Sequence, residues 1–224
     1  MKEILNKLMF KVRKRNYGKA WEFKSKTDDD FIKIYGLMHA SNEISHIFFK
    51  KYIKSFFKDI ETVCEVGGGV GIYYPEWFFE NFKNLLKYRI IDSSSRAIRL
   101  SKVLVSDKRF DSEVGIIEEF DIREQFDLVF SLRSIDNSFS IENFILACIK
   151  ASKKLVYITF TNDFTQAAEH QYVWNAQKYF YWNVSKPALE KFLDALNEIT
   201  SYEIRILQNL NNKSGEMHLI INRD

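Results

Sequence analysis

The stretch Thr62-Val63-Cys64-Glu65-Val66-Gly67-Gly68-Gly69-Val70-Gly71 decides the reading of this 224-residue chain. A short β-branched run passes straight into glycine, which is how a buried parallel strand ends in a turn. Pro75 follows within the first turn of the next segment, where its missing N–H costs little, and Trp77, Phe78, Phe82 and Leu85 carry a helical spacing onward. The unit is strand, glycine loop, helix.

Outward from it the pattern repeats. Residues 88–92 make a second strand ending on Asp92, and Ser93-Ser94-Ser95 opens a helix through Ala97, Ile98, Leu100 and Leu104. Short apolar runs at 114–117, 126–131 and 155–160 give strands three, four and five, with a helix at 141–150 between the last two. Residues 186–196 read as a helix capped by Ser185, followed by strands at 202–207 and 217–221 joined by the polar turn Asn211-Asn212-Lys213-Ser214-Gly215. Upstream, Phe31, Ile34, Tyr35, Met38, Ile44, Phe48, Tyr52 and Phe56 keep helical spacing, with a break near residues 40–42 where Ser41 or Asn42 caps a second helix. The expected class is α/β: a seven-stranded, mostly parallel sheet with helices on both faces, a C-terminal antiparallel hairpin and a helical N-terminal cap. Residues 1–58 form the arm and cap, and residues 59–224 the main unit.

Composition sets the bounds. With 46% hydrophobic and 16% aromatic residues, the chain carries enough apolar material for one substantial core. Cys64 and Cys148 lie inside apolar runs and read as buried thiols of a reducing compartment, so a cytoplasmic protein is expected. No run reaches the roughly 20 residues of a membrane-spanning helix. The net charge of +3 is too small to imply nucleic acid, but Lys7, Lys11, Arg13, Lys14, Arg15, Lys19 and Lys24 crowd the front. Residues 2–15 read either as a solvated terminal helix or as a basic amphipathic helix on an anionic membrane face.

Glycine spacing separates three ligand classes. A phosphate loop needs Gly-Lys-Ser/Thr, yet Gly71 is followed by Ile72-Tyr73. A dinucleotide fingerprint starting at Gly67 or Gly69 would put its third glycine at Ile72 or Tyr74, so both placements fail. An acid followed by glycines at alternate positions does fit: Glu65, Gly67, Gly69 and Gly71. Gly67 and Gly69 let backbone approach a ligand, and an acid at the strand end can accept from an ammonium.

That arrangement resembles the first motif of the class I, Rossmann-like S-adenosylmethionine-dependent methyltransferases, and Asp92 at the end of strand two matches their second motif. The resemblance implies S-adenosylmethionine as cofactor, held by Glu65, Gly67, Gly69, Gly71, Asp92 and Ser93. Glu118 stands where family members contact the adenine amino group, with Glu119 and Asp121 as competitors, and Ser131 where they line the cofactor. No metal is expected. The acceptor site lies among the cap, the segment after strand four and the segment after strand five. Those segments offer Tyr35, His39 and His46; Arg133, Asp136 and Asn137; and Asp163, Glu169, His170, Tyr172, Trp174 and Asn175. An imidazole titrates near neutrality, so His170 is the expected base, with Asp136 as second catalytic group and Arg133 and His39 toward the substrate.

After strand four the sequence Ser131-Leu132-Arg133-Ser134-Ile135-Asp136 lacks the Asn/Asp-Pro-Pro-aromatic signature of enzymes that methylate flipped bases. The Glu-Val-Gly-Gly-Gly-Val-Gly form and basic arm are similar to methyltransferases of bacterial surface polysaccharides and their precursors. An O-methyltransferase of a small-molecule or sugar acceptor is therefore expected, with other small-metabolite methylation and a catalytically degenerate cofactor-binding subunit as alternatives. The aromatic run Tyr179-Phe180-Tyr181-Trp182 reads first as core at the border of a helix, with stacking on an acceptor or on sugar faces as the alternative.

Overall fold

The structure, a computed structural model, describes residues 27–40, 43–120, 123–160, 166–174, 180–208 and 215–223. In chain order these form α1 (Asp28–Ala40), α2 (Glu43–Phe56), β1 (Thr62–Val66), α3 (Pro75–Asn81), β2 (Lys87–Asp92), α4 (Ser95–Leu104), β3 (Phe110–Val114), β4 (Phe126–Leu132), α5 (Ile141–Ala151), β5 (Ser152–Phe160), β6 (Gln171–Trp174), β7 (Phe180–Asn183), α6 (Lys186–Asp194), β8 (Ser201–Gln208) and β9 (Gly215–Asn222). Seven strands join in the order β3-β2-β1-β4-β5-β9-β8. Neighbours among the first five pair in parallel, and β9 pairs antiparallel with both β5 and β8. Strands β1 and β4 and residues 155–160 of β5 are buried on both faces and read as near-continuous apolar runs. Phe130, Tyr157, Leu128 and Ile220 turn toward Phe49 and Ile53 of α2 and Phe78 of α3, whereas Val129, Val156, Ile158 and Leu219 turn toward α5 and α6. Cys64 and Cys148 are buried free thiols on the second of these faces. Among the described residues no helix is long and apolar enough to cross a membrane.

Three local expectations change. Strand three lies at Phe110–Val114 instead of 114–117. It is an edge strand in which Ser112 faces inward to Ser101 while Asp111 pairs with Arg89, so its polar sequence hides the pleat. Ile117 instead starts a 3-10 turn and plugs the core from there. Helix α3 stops at Asn81, and Phe82 is already extended, although Phe82 and Leu85 remain buried. The aromatic run enters strand β7, paired with β6 in a separate two-stranded ribbon, and Trp182 Nε1 donates to Ser138 O at 2.9 Å. Residues 2–15, Ser41, Asn42, Asp121, Asp163, Asn175 and Tyr179 lie outside the described residues.

Between β3 and β4 the described residues hold only the 3-10 turn Ile117–Glu119, and the sheet face there is charged. Lys87 and Arg89 share a face of β2 and meet Glu124, while Arg89 also meets Asp111. An open cavity of about 570 Å³ lies over this face, floored by Ile91 and Phe126.

Candidate functional site

The glycine loop leaves β1 at Val66 with Gly67, Gly69 and Gly71 at φ +77°, +58° and +70°, a region that strongly favours glycine. Gly67 N donates to Ile91 O at 2.8 Å, tying the loop to the end of β2. The space left by the missing side chains is used closely. A Cβ on Gly67 would lie 1.9 Å from Ser134 Oγ, and one on Gly69 would lie 2.3 Å from the Tyr35 ring. The turn after β4 and helix α1 therefore close on the loop from two sides. Phe31 and Tyr35 of α1, Val70 of the loop, and Ala97 and Leu100 of α4 form a small apolar cluster there. Asp28 pins the same helix to Arg96 and Arg99, and Tyr73 Oη donates to Gly36 O at 3.0 Å.

Two carboxylates end adjacent strands beside this loop. Asp92 is 7% exposed; its Oδ2 accepts from Gly69 N at 2.9 Å and its Oδ1 from Ser94 N at 2.8 Å. Ser94, not Ser93, caps α4, accepting from Ala97 N, while Ser93 is half-buried. Burial raises the Asp92 carboxyl above its usual range, and the two backbone donors oppose the rise. Glu65 is 4% exposed and its Oε2 accepts from Tyr88 Oη at 2.5 Å. Burial pushes the Glu65 carboxyl up to about 8; Tyr88 opposes that shift and Asp92 adds to it, with no cation among these influences. An ammonium would supply the missing counter-charge.

Other expected residues stand as follows. Ser131 is fully buried, and its Oγ has no partner among the described residues. Glu118, in the 3-10 turn after β3, accepts from Phe139 N at 2.9 Å. Asp136 is buried in the 3-10 turn Ile135–Asn137, directly after the Ser134 that faces Gly67. Arg133 ion-pairs with Glu216 at the start of β9. The backbone of His39 closes α1, and its side chain lies outside the described residues. His170 is drawn elsewhere: its Nδ1 accepts from Ser185 N at 2.9 Å at the start of α6, and its Nε2 lies 3.4 Å from Glu142. Burial lowers its proton affinity and Glu142 partly restores it.

Sequence reasoning offered His46 for the acceptor site but missed the rest of a polar layer under α2. His218 is fully buried between Ser45 and Tyr157, and burial pushes its imidazole down to about 4, with Arg133 and Arg205 adding to the fall. His46 of α2 hydrogen-bonds Tyr74 and stacks near Tyr73. A polar residue alternating inside a buried strand, as His218 does in Met217-His218-Leu219, is the signal that was available.

No protein-family model matches the sequence. The curated malonyl-[acyl-carrier protein] O-methyltransferase of Priestia megaterium is 25% identical over 200 residues, covering 88% of this chain and 68% of that protein. The solved magnesium protoporphyrin IX methyltransferase of Synechocystis PCC 6803 with bound SAM superposes with a TM-score of 0.60 at 11% identity, covering 84% of this chain and 82% of that one. An amino pentose methyltransferase from Micromonospora echinaspora, also SAM-bound, gives a TM-score of 0.60 at 11% identity over 85% of this chain and 97% of its own. The fold of this chain is that of the class I S-adenosylmethionine-dependent methyltransferases.

Proposed function

We propose that the protein is an S-adenosylmethionine-dependent methyltransferase that O-methylates a small-molecule or sugar-type acceptor. The observation that carries the reading is the pair Glu65 and Asp92, buried at the ends of adjacent parallel strands around a loop with three left-handed glycines. Strand ends in open α/β sheets are where ligands bind. In this assignment Glu65 faces the ammonium of the cofactor's amino-acid tail. Asp92, each of whose oxygens takes only one backbone donor from Gly69 and Ser94, offers its remaining lone pairs to a ribose diol. Glu118 and Ser131 border the adenine and sulfonium ends.

The bound cofactor supplies an electrophilic methyl group. The residues then align the acceptor in line with it, exclude water and accept a proton from an acceptor hydroxyl. Asp136 is our first choice as proton acceptor, because it follows the Ser134 contact to Gly67. His170 is given the separate role of anchoring α6, since Ser185 N–H occupies its Nδ1. O-methylation is supported by the activity of the Priestia relative, and a sugar-type acceptor by that of the Micromonospora protein. In this reading the buried free thiols Cys64 and Cys148 support a cytoplasmic location, and the basic residues among 1–15 support contact with an anionic membrane surface.

Calorimetry with S-adenosylmethionine and S-adenosylhomocysteine tests the proposal. Binding is expected for the wild-type chain and weakened binding for Glu65→Gln and Asp92→Asn. No affinity for either compound would sink the reading, and binding without methyl transfer to any acceptor would favour the degenerate-subunit alternative.

A further inference from the structure

The seven-stranded sheet ends in β3 on one side and β8 on the other, and the two edges are built differently. Natural sheets guard an edge with short strands, lysine, proline, bulges or charges that repel a second strand. β3 has five residues, and its charged members Asp111 and Glu113 are both acids. Antiparallel pairing of two copies centred anywhere on residues 111–113 would set acid against acid. β8 has eight residues, Ser201-Tyr202-Glu203-Ile204-Arg205-Ile206-Leu207-Gln208, with neither lysine nor proline. Its pairing with β9 runs without a bulge from Ser201↔Asn222 to Gln208↔Gly215, and among the described residues no strand lies beyond it. An antiparallel ladder uses alternate residues on each side, so half of the β8 backbone groups point away from β9. Ile206 is 53% exposed, and the Glu203 and Arg205 side chains are 45% and 36% exposed.

This edge complements itself. Glu203 and Arg205 pair along the strand at 2.5 Å, on the face where the Arg205 guanidinium lies over the Phe48 and Tyr52 rings of α2. Two antiparallel copies related by a two-fold axis through Ile204 place Glu203 of each opposite Arg205 of the other. The ion pair of each strand then becomes half of a four-charge cluster of alternating sign. On the opposite face the same register sets Tyr202 against Ile206, an aromatic with a β-branched partner, and Ile204 against its own copy. Cross-strand pairs of these kinds stabilise a sheet, and like charges directly opposite destabilise it. Moving the axis to Glu203 or to Arg205 sets that charge against its own copy, and moving it further separates the two charges. Charge therefore selects one register.

We propose that β8 is the interface of a homodimer in which two copies pair antiparallel through this strand, with the axis at Ile204, and join their sheets into one. The occupant is a second copy of this chain because a two-fold contact must be self-complementary, and β8 is so on both faces. Main-chain hydrogen bonds supply the attraction, as in other strand additions, and the side chains fix the register. The inference stands apart from the methyl-transfer reading, since no residue of β8 is assigned to that site.

Sedimentation of the full chain from about 1 to 100 µM tests it, a range that brackets the micromolar affinity expected of a small interface. A dimer is expected. Arg205→Glu and Glu203→Arg each set like charges opposite one another at both crossings and should weaken association by about tenfold or more. The swapped variant Glu203→Arg/Arg205→Glu restores opposite charges across the axis and should return association to within about threefold of wild type. Guanidinium melts check folding; surface ion pairs contribute little, so all variants should melt close to the wild type. If one single variant fails to fold, the other repeats the test with the opposite sign. A wild type that stays monomeric throughout would overturn the proposal and leave the edge to a strand of another protein. A dimer indifferent to both single changes, or one that the swap does not restore, would overturn it as well.

Discussion

Gly69→Ala is the sharpest test of how the loop is closed. The substitution has two separable costs. At φ +58° an alanine pays about 1–2 kcal/mol for left-handed backbone. Its Cβ would also lie 2.3 Å from Tyr35 Cε1 and 2.8 Å from Tyr35 Cδ1, and the Tyr35 ring is 8% exposed, so overpacking adds about 1–3 kcal/mol. The total is about 2–5 kcal/mol, or roughly 4–20 °C in melting temperature for a chain of this size. A double-mutant cycle with Tyr35→Ala isolates the second cost. Truncating the ring removes the clash but not the backbone strain, so the double variant should be more stable than the sum of singles predicts by about 1–3 kcal/mol. Guanidinium melts of the four proteins give the coupling. Strict additivity, or a Gly69→Ala protein that melts with the wild type, would refute the claim that α1 sits on the loop.

Glu65 should make stability fall with rising pH. Its folded carboxyl titrates near 8, above the ordinary carboxylate range, so between that range and pH 8 the folded chain holds a proton that the unfolded chain has lost. Stability from this group is therefore present at low pH and lost as pH rises through 8; melts of Glu65→Gln from pH 5 to 9 should be flatter than wild type, and a parallel profile would disprove the assignment. Asp92→Ala, which orphans Gly69 N and Ser94 N, should cost about 2–4 kcal/mol in denaturant melts and weaken S-adenosylhomocysteine binding measured by calorimetry. His170→Ala should lower stability by about 1–2 kcal/mol through the start of α6 while kcat stays within about twofold; a hundredfold loss of kcat would return the proton-accepting role to this histidine.

Where local and global signals agreed, sequence sufficed. The strand-glycine-helix unit, Asp92, the Ser185 cap and the closing hairpin each follow from period and turn chemistry. Strand β3 did not, because an edge strand with ion-paired Asp111 carries no apolar period. The local sequence around His170 showed an imidazole and nothing of the Ser185 N–H that occupies it, which arrives from a contact 15 residues on. Arg133 was visible as a cation; its dependence on Glu216 spans 83 residues and exists only once β9 inserts beside β5. Pairings of that kind are properties of topology.

The charged patch on β2 and β3 has a consequence for engineering. Lys87 and Arg89 occupy positions where a covered parallel strand would place apolar residues, and their ammonium and guanidinium lie over the Phe126 ring, 5.9 Å from its centroid. Grafting a helix between Gly115 and Phe126 would strip water from these two cations and from Asp111 and Glu124, and desolvated ion pairs seldom recover that cost. Among the described residues no helix covers this corner, and the strand's own alternation matches that; a designer wishing to thicken the molecule here would have to rewrite β2 before adding a single turn of helix.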